Sequence, residues 1–113
     1  MKYLLMICVE ESLELSPAEA ATVGPATSSW VDEMDGRGVR LQGDQLQPVR
    51  DATTVRVRDG EVLIADGPFA ETKEQIAGYD ILECADLDEA IEVASTHPVA
   101  RFGTVEVRPF WQP

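Results

Sequence analysis

The order of the predicted elements indicates an α+β fold made of two split βαβ units, with a β-hairpin inserted between them. Three observations predict it: an apolar run at the start of the chain, two helical segments that begin with capping residues, and a hairpin with an Asp-Gly turn. Strand, helix and strand come before the hairpin, and strand, helix and strand follow it. This is the ferredoxin-like βαβ-βαβ pattern, in which an antiparallel sheet carries both helices on one face.

The first unit opens with residues 2–9, which are apolar on both alternating faces and suit a central strand. A helix is expected over residues 15–38, because Ser16 and Glu19 have the spacing of a capping box. Gly24-Pro25 interrupts this segment, so we expect a kink or a break there.

The next strand and the hairpin are predicted from alternating residues. Residues 39–47 alternate well enough to form a strand, and residues 53–66 are the clearest hairpin in the chain. Val55 and Val57 alternate with two arginines, and Asp59-Gly60 is a strong two-residue turn signal.

The second unit has the clearest helix. Residues 77–85 predict a strand, and Asp86 with Glu89 then begins a helix that Pro98 ends. Residues 102–111 alternate as the last strand. Two helices cover only one face of such a sheet, and half-covered sheets commonly pair with a copy of themselves. We therefore expect a homodimer, with a pocket between the covered sheets.

Length and charge limit the possible functions. The chain of 113 residues is expected to form a single domain over residues 1–113. Its 9 basic and 21 acidic residues give a formal net charge of −12, which repels a phosphate backbone and an anionic membrane alike. We expect no direct nucleic-acid binding and no membrane binding, although a basic protein partner is compatible with this charge.

The cysteines and the opening segment indicate a cytoplasmic protein. Cys8 and Cys84 each lie in an apolar run and are expected as buried free thiols, with a disulfide as the alternative. The opening apolar run is too short to span a bilayer and no cleavage site of small residues follows it. One histidine and two scattered cysteines cannot supply a spaced set of metal ligands, and no cofactor motif is present, so we expect no cofactor.

His97 is the main candidate for proton chemistry, because an imidazole titrates near neutrality. Its place at the end of the second helix predicts a raised pKa, since a helix C-terminus favours the protonated form. The alternative is that His97 only caps this helix before Pro98.

Two aspartates are further candidates. Asp66 can accept a hydrogen bond from a histidine or a substrate, or it can bond the amides of its own turn. Asp80 lies inside a strand, on the same face as Leu82 and Cys84. A buried Asp80 must be paired or have a raised pKa, and it would then line a pocket. The alternative is that Asp80 lies near an edge of the sheet and is exposed to solvent.

The basic side chains have two interpretations. Arg56, Arg58 and Arg108 on polar strand faces can clamp a carboxylate or phosphate, or pair with neighbouring acids. Lys73 lies between two glutamates and has the same alternatives. Tyr79 and Trp111 are expected to pack rather than to serve as stacking platforms.

The segment that follows the hairpin carries a long motif. Asp66-Gly67-Pro68-Phe69 is followed by Glu71-Thr72-Lys73-Glu74, and the chain opens with MKYLLMI and closes with GTVEVRPF. With these residues the sequence closely resembles the DGPF-domain proteins, a branch of the YCII-related family. The resemblance covers nearly the whole chain and implies a dimeric α+β barrel of ferredoxin-like subunits.

The resemblance also implies a site and a regulatory link. The wider family is thought to be enzymatic because a histidine and an aspartate lie in a pocket at the dimer barrel. Asp66 matches the aspartate of the motif, and His97 lies in the stretch before the last strand. Genes for DGPF-domain proteins commonly accompany sigma factors of the extracytoplasmic-function type.

Two functions are therefore expected as alternatives. In the first, Asp66 and His97 act as acid and base on a small polar molecule, in a reaction of the lyase or isomerase type. The motif would shape and cover the pocket, with Phe69 anchored in the core. The expected substrate-binding residues are Arg56, Arg58, Phe69, Lys73 and Asp80. In the second, the chain is a non-catalytic regulatory module that binds a sigma factor.

Overall fold

A computed structural model describes residues 1–112 and has the predicted order of elements. The six strands are β1 (Lys2–Glu10), β2 (Arg40–Gln45), β3 (Thr53–Arg58), β4 (Glu61–Asp66), β5 (Glu74–Glu83) and β6 (Thr104–Pro109). The two α-helices are α1 (Pro17–Gly36) and α2 (Leu87–Ser95), and short 3₁₀ turns span Val49–Asp51 and Pro98–Arg101. The ferredoxin-like α+β fold predicted from the sequence is confirmed. No helix within residues 1–112 is long and apolar enough to cross a membrane.

Four of the strands form one antiparallel sheet in the order β2-β5-β1-β6. The predicted central strand, β1, lies between β5 and β6, so that Leu5 pairs with Asp80 on one side and with Val107 on the other. Strands β3 and β4 pair only with each other and form a separate hairpin.

The core lies on the face of the sheet that both helices cover. Alternate residues of β1 point into it, and Leu5 is fully buried. Trp30 and Met34 of α1 and Val93 of α2 complete the same cluster. Burial of each such side chain stabilises the fold by about 1.5–3 kcal/mol. The opposite face carries the half-buried side chains Leu4, Met6 and Cys8 of β1, together with Tyr79 and Ile81 of β5.

The predicted capping residues begin both helices. The Ser16 hydroxyl accepts a hydrogen bond from the Glu19 amide at 3.1 Å, and the Glu19 carboxylate accepts one from the Ser16 amide at 3.2 Å. The Asp86 carboxylate caps α2 by accepting from the Glu89 amide at 2.9 Å. Each capping bond satisfies a backbone donor that the helix itself leaves free.

The break expected at Gly24-Pro25 is not present, because α1 continues through Pro25 as one helix of 20 residues. An interior proline removes one backbone hydrogen bond and crowds the preceding turn, at a cost of about 3 kcal/mol. The capping box before the proline and the buried Trp30 and Met34 after it hold both halves of the helix.

The hairpin is present as predicted, with Asp59 and Gly60 at positive φ values of 52° and 79°. Such a turn matches the twist of the two strands. Its apolar side chains stay outside the core of the chain: Val55, Val57, Val62 and Ile64 are all 58–69% exposed. The molecule is therefore broad and thin, with extents of 47 × 45 × 19 Å.

Candidate functional site

A cleft of about 820 Å³ lies between α1 and the sheet. It exists because α1 presents mostly small side chains to the sheet up to Ser28, whereas Trp30 and Met34 further along the helix enter the core. The helix residues at the cleft are Ala20, Val23, Gly24, Thr27, Ser28, Val31 and Asp32.

Glycines widen the floor of the cleft. Gly43 of β2 and Gly78 of β5 both line it. A Cβ atom on Gly43 would lie 2.1 Å from Oδ1 of Asp80 and 2.5 Å from the carbonyl oxygen of Tyr79. Since real Cβ atoms do not approach other atoms so closely, the position next to Asp80 requires glycine.

Asp80 enters the cleft from the covered face of β5 and is only 5% exposed. Its Oδ1 atom accepts a hydrogen bond from Nε of Arg40 at 2.7 Å. The two terminal nitrogens of Arg40 donate to the Gly43 carbonyl oxygen at 2.9 Å and to Oδ1 of Asp35 at 3.2 Å. The buried carboxylate is therefore held by a charged, hydrogen-bonded partner, as a buried charge requires.

Burial raises the pKa of Asp80, and the hydrogen bond and charge of Arg40 oppose that rise only in part. A buried Asp80 was expected to be paired or to have a raised pKa, and both are found. Its partner Arg40 was not among the residues predicted for the site. The two residues are 40 positions apart, so only the pairing of β2 with β5 brings them together.

His97 lines the cleft and is 4% exposed. The helix α2 ends at Ser95, and His97 instead caps the 3₁₀ turn that follows: its Nδ1 atom accepts a hydrogen bond from the Val99 amide at 3.1 Å. The imidazole also packs edge-on against Trp30, with ring centroids 4.7 Å apart. Trp30 is itself held by hydrogen bonds from Nε1 to Val93 and Thr96.

The predicted rise in the pKa of His97 is wrong. Burial lowers this pKa to about 4, because the ring is removed from the water that would stabilise its charged form. The predicted role as a C-terminal cap of the second helix is also wrong, since the imidazole points into the interior and bonds the chain beyond it.

The structure brings only part of the predicted site together within one chain. Asp80 and His97 line the same cleft. Asp66 is the last residue of β4, pairs with Thr53 and is exposed to solvent. The cleft lining also excludes the other predicted binding residues, namely Arg56, Arg58, Phe69 and Lys73.

Phe69 was expected to be anchored in the core, but it is 78% exposed. It lines a smaller cavity of about 360 Å³ together with Pro68, Gln75 and Ile76. The loop after β4 is ordered by its own polar groups: Nε2 of Gln75 donates to the carbonyl oxygens of Ala70 and Thr72, each at 3.1 Å.

The arginines on the polar strand faces differ in their partners. Arg108 forms an ion pair with Glu106, which is one of its two predicted alternatives. Within residues 1–112, neither Arg56 nor Arg58 forms an ion pair, and Arg58 donates to the carbonyl oxygen of Val57 at 3.0 Å. Trp111 is 87% exposed, so it does not pack in the core of its own chain.

Metal ligands are not clustered in the part of the chain that the structure describes: no three His, Cys, Asp or Glu side chains are arranged to hold an ion. The cysteines are free thiols, with Cys84 buried and Cys8 half-buried. The buried polar groups at the cleft are the Asp80 carboxylate, which is paired with the Arg40 guanidinium, and the His97 imidazole.

Comparison with known proteins gives two results. The family model of the YCII-related domain matches residues 1–112. An uncharacterized protein of Rhizobium meliloti (strain 1021) is 39% identical over 100 residues, which cover 74% of this chain and 81% of that protein. Both results agree with the motif that follows the hairpin, and the chain belongs to the YCII-related family.

Proposed function

We propose that the chain binds and transforms a small polar molecule in the cleft between α1 and the sheet. One observation carries this proposal: Asp80 and His97 are the buried polar side chains of the described residues, and both line this cleft. Burial of a carboxylate or an imidazole is costly, and perturbed ionisable groups in a cleft are typical of functional sites.

The positions of these two groups support proton transfer as the chemistry. Arg40 holds the Asp80 carboxylate through Nε, and the Val99 amide and the Trp30 ring orient the imidazole of His97. A carboxylate held in this way can take a proton from a substrate, while the imidazole donates a hydrogen bond to the same molecule. The lyase or isomerase type therefore stays the proposed reaction class.

A homodimer is part of the proposal. The sheet face opposite the helices has a row of apolar side chains, and the hairpin exposes further ones such as Val55 and Ile64. Contiguous exposed apolar surface is typical of an interface. Any contribution of Asp66 to the cleft requires a second copy of the chain, because its own chain holds it outside.

A fragment screen by protein-observed NMR tests the site. Fragments that bind should shift the amide signals of Gly43 and Gly78 in the wild-type protein. The matched variants are Val23→Trp, whose indole would fill the cleft from the helix side, and Ala21→Trp, which places the same group on an exposed residue outside the cleft lining.

The expected result is loss of binding in V23W and retention in A21W. Fragments that bind equally well to both variants, or that shift only signals far from the cleft, would contradict the proposed site.

The regulatory alternative has one observation in its favour, namely the exposed apolar hairpin. If the hairpin stays exposed in the homodimer, it is the surface that would bind a partner such as a sigma factor. Protection of the hairpin amides from hydrogen exchange in the isolated protein would argue against this role.

A further inference from the structure

We infer that the cleft takes an uncharged ligand with a carbonyl-type oxygen, which accepts a hydrogen bond from the Nε2–H group of His97. This inference rests on the proposed function of the cleft and adds the polarity of the ligand. It follows from three features: the hydrogen bond at Nδ1 of His97, the accessibility of Nε2, and the charges around the cleft.

The hydrogen bond at Nδ1 determines where the imidazole carries its proton. The Val99 amide donates to Nδ1 at 3.1 Å, so Nδ1 must present a lone pair. A neutral imidazole with an accepting Nδ1 carries its hydrogen on Nε2. Protonation of Nδ1 would place two N–H groups against each other and remove this bond. Burial lowers the pKa of His97 to about 4, so the imidazole is neutral at neutral pH.

The Nε2–H group is available to a ligand. Within residues 1–112, every fully buried side-chain nitrogen or oxygen has a hydrogen-bond partner. The only hydrogen bond of the His97 side chain is the one at Nδ1. Nε2 must therefore keep some accessible surface, and the surface next to His97 is that of the cleft. At neutral pH His97 is thus a hydrogen-bond donor to the cleft rather than a base.

The charges around the cleft disfavour an anionic ligand. The charged residues of the lining are Asp32, Asp44, Asp80 and Arg40, and three carboxylates minus one guanidinium leave an excess of two negative charges. Every nitrogen of the Arg40 guanidinium already donates to the protein. A carboxylate or a phosphate would therefore find no free cation, and would meet the field of a chain with a net charge of −12.

A cationic ligand suits the negative charge of the cleft lining but does not suit the Nε2–H donor of His97. An ammonium group has only donors, so it cannot accept from Nε2–H of His97. A carbonyl oxygen accepts this bond without any charge of its own. The same donor would stabilise the oxyanion that forms when a proton leaves the carbon next to a carbonyl group.

The first part of the test needs no ligand. His97 is the only histidine of the chain, so long-range ¹H–¹⁵N spectra of the imidazole contain one set of side-chain signals. We expect the Nε2–H tautomer and no titration between about pH 5 and pH 8. The Nδ1–H tautomer, or a titration near neutrality, would overturn the inference.

The second part compares three probes with the same ring: cyclohexanone, cyclohexanecarboxylate and cyclohexylammonium. Each is titrated into the full-length protein while the amide signals of Gly43 and Gly78 are followed. We expect cyclohexanone to shift these signals in the wild type and in A21W but not in V23W. Binding of the carboxylate should be weaker by about tenfold or more.

The outcomes separate the two proposals. Tighter binding of the carboxylate or of the ammonium in the cleft, sensitive to V23W, would overturn the inferred ligand class and leave the binding site standing. If none of the three probes shifts the cleft signals at millimolar concentration, the inferred ligand class fails; the proposed function fails with it only if the fragment screen also finds no ligand in the cleft.

Discussion

Replacement of Arg40 by methionine should strongly destabilise the fold at neutral pH. The Arg40 and Asp80 side chains are 13% and 7% exposed, and they share a hydrogen bond of 2.7 Å. Methionine fills a similar volume but leaves the Asp80 carboxylate buried without a charged partner. Loss of one partner of a buried ion pair costs about 3–5 kcal/mol. The exposed bond to Asp35 adds little, because surface ion pairs contribute about 0–1 kcal/mol.

The loss should depend on pH in a defined direction. Burial already raises the pKa of Asp80 above its ordinary value, and removal of the Arg40 charge raises it further. A group with a raised pKa in the folded state favours folding at low pH and opposes it as the pH rises through the folded-state pKa. The destabilisation by R40M should therefore be largest at neutral pH and should diminish as the pH falls toward the range in which the buried carboxyl is protonated.

Urea denaturation at several pH values measures this effect. The control is Arg37→Met, because the Arg37–Glu92 ion pair lies on the surface, with side chains 36% and 54% exposed. R37M should cost no more than about 1 kcal/mol at any pH. The double variant R40M/D80N should recover most of the loss, since it removes the unpaired charge. A cost below about 1 kcal/mol for R40M, or a cost that does not change with pH, would refute this account of the pair.

Three further predictions concern stability and assembly. Gly43→Ala should lower the free energy of unfolding, measured by urea denaturation, by several kcal/mol, because its Cβ would lie 2.1 Å from Oδ1 of Asp80. The control is Gly24→Ala, since Gly24 has open space around it, and equal losses in the two variants would contradict this prediction. The lowered pKa of His97 means that its contribution to stability is complete above about pH 6.5 and is lost as the pH falls to about 4. This loss amounts to about 3 kcal/mol and should vanish in His97→Gln; an unchanged pH profile in H97Q would be evidence against it. Light scattering should report twice the chain mass of 12.4 kDa, and Met6→Glu on the open sheet face should give monomers; a monomeric wild type would exclude the dimer.

Much of the fold was predictable because its signals are local. The capping residues at Ser16 and Asp86 satisfy the first amides of their own helices, and the Asp59-Gly60 turn adopts a backbone conformation that few residues tolerate. The error at Gly24-Pro25 has the opposite origin. A proline weakens a helix locally, but packing of distant residues such as Trp30 decides whether the helix continues.

The site was less predictable, because its chemistry depends on residues that are far apart in the chain. The identity of Asp80 as an unusual carboxylate could be recognised from its place in an apolar strand. Its partner Arg40 could not, since a shift of one residue in the register of β2 against β5 would point Arg40 to the other face. His97 was recognised by its residue type, but the direction of its pKa shift was wrong because burial could not be read from helix position alone.

The sequence by itself determined the order of the elements and the family, and it included Asp80 and His97 among its candidate site residues, because propensity, capping and motif are encoded in neighbouring residues. Only the tertiary structure decided that Asp66 lies outside the cleft of its own chain, that Arg40 holds Asp80, and that Nδ1 of His97 accepts a hydrogen bond from the Val99 amide. These properties depend on distances across the sheet and on the exclusion of water. Both are set only when the helices close over one face of the sheet.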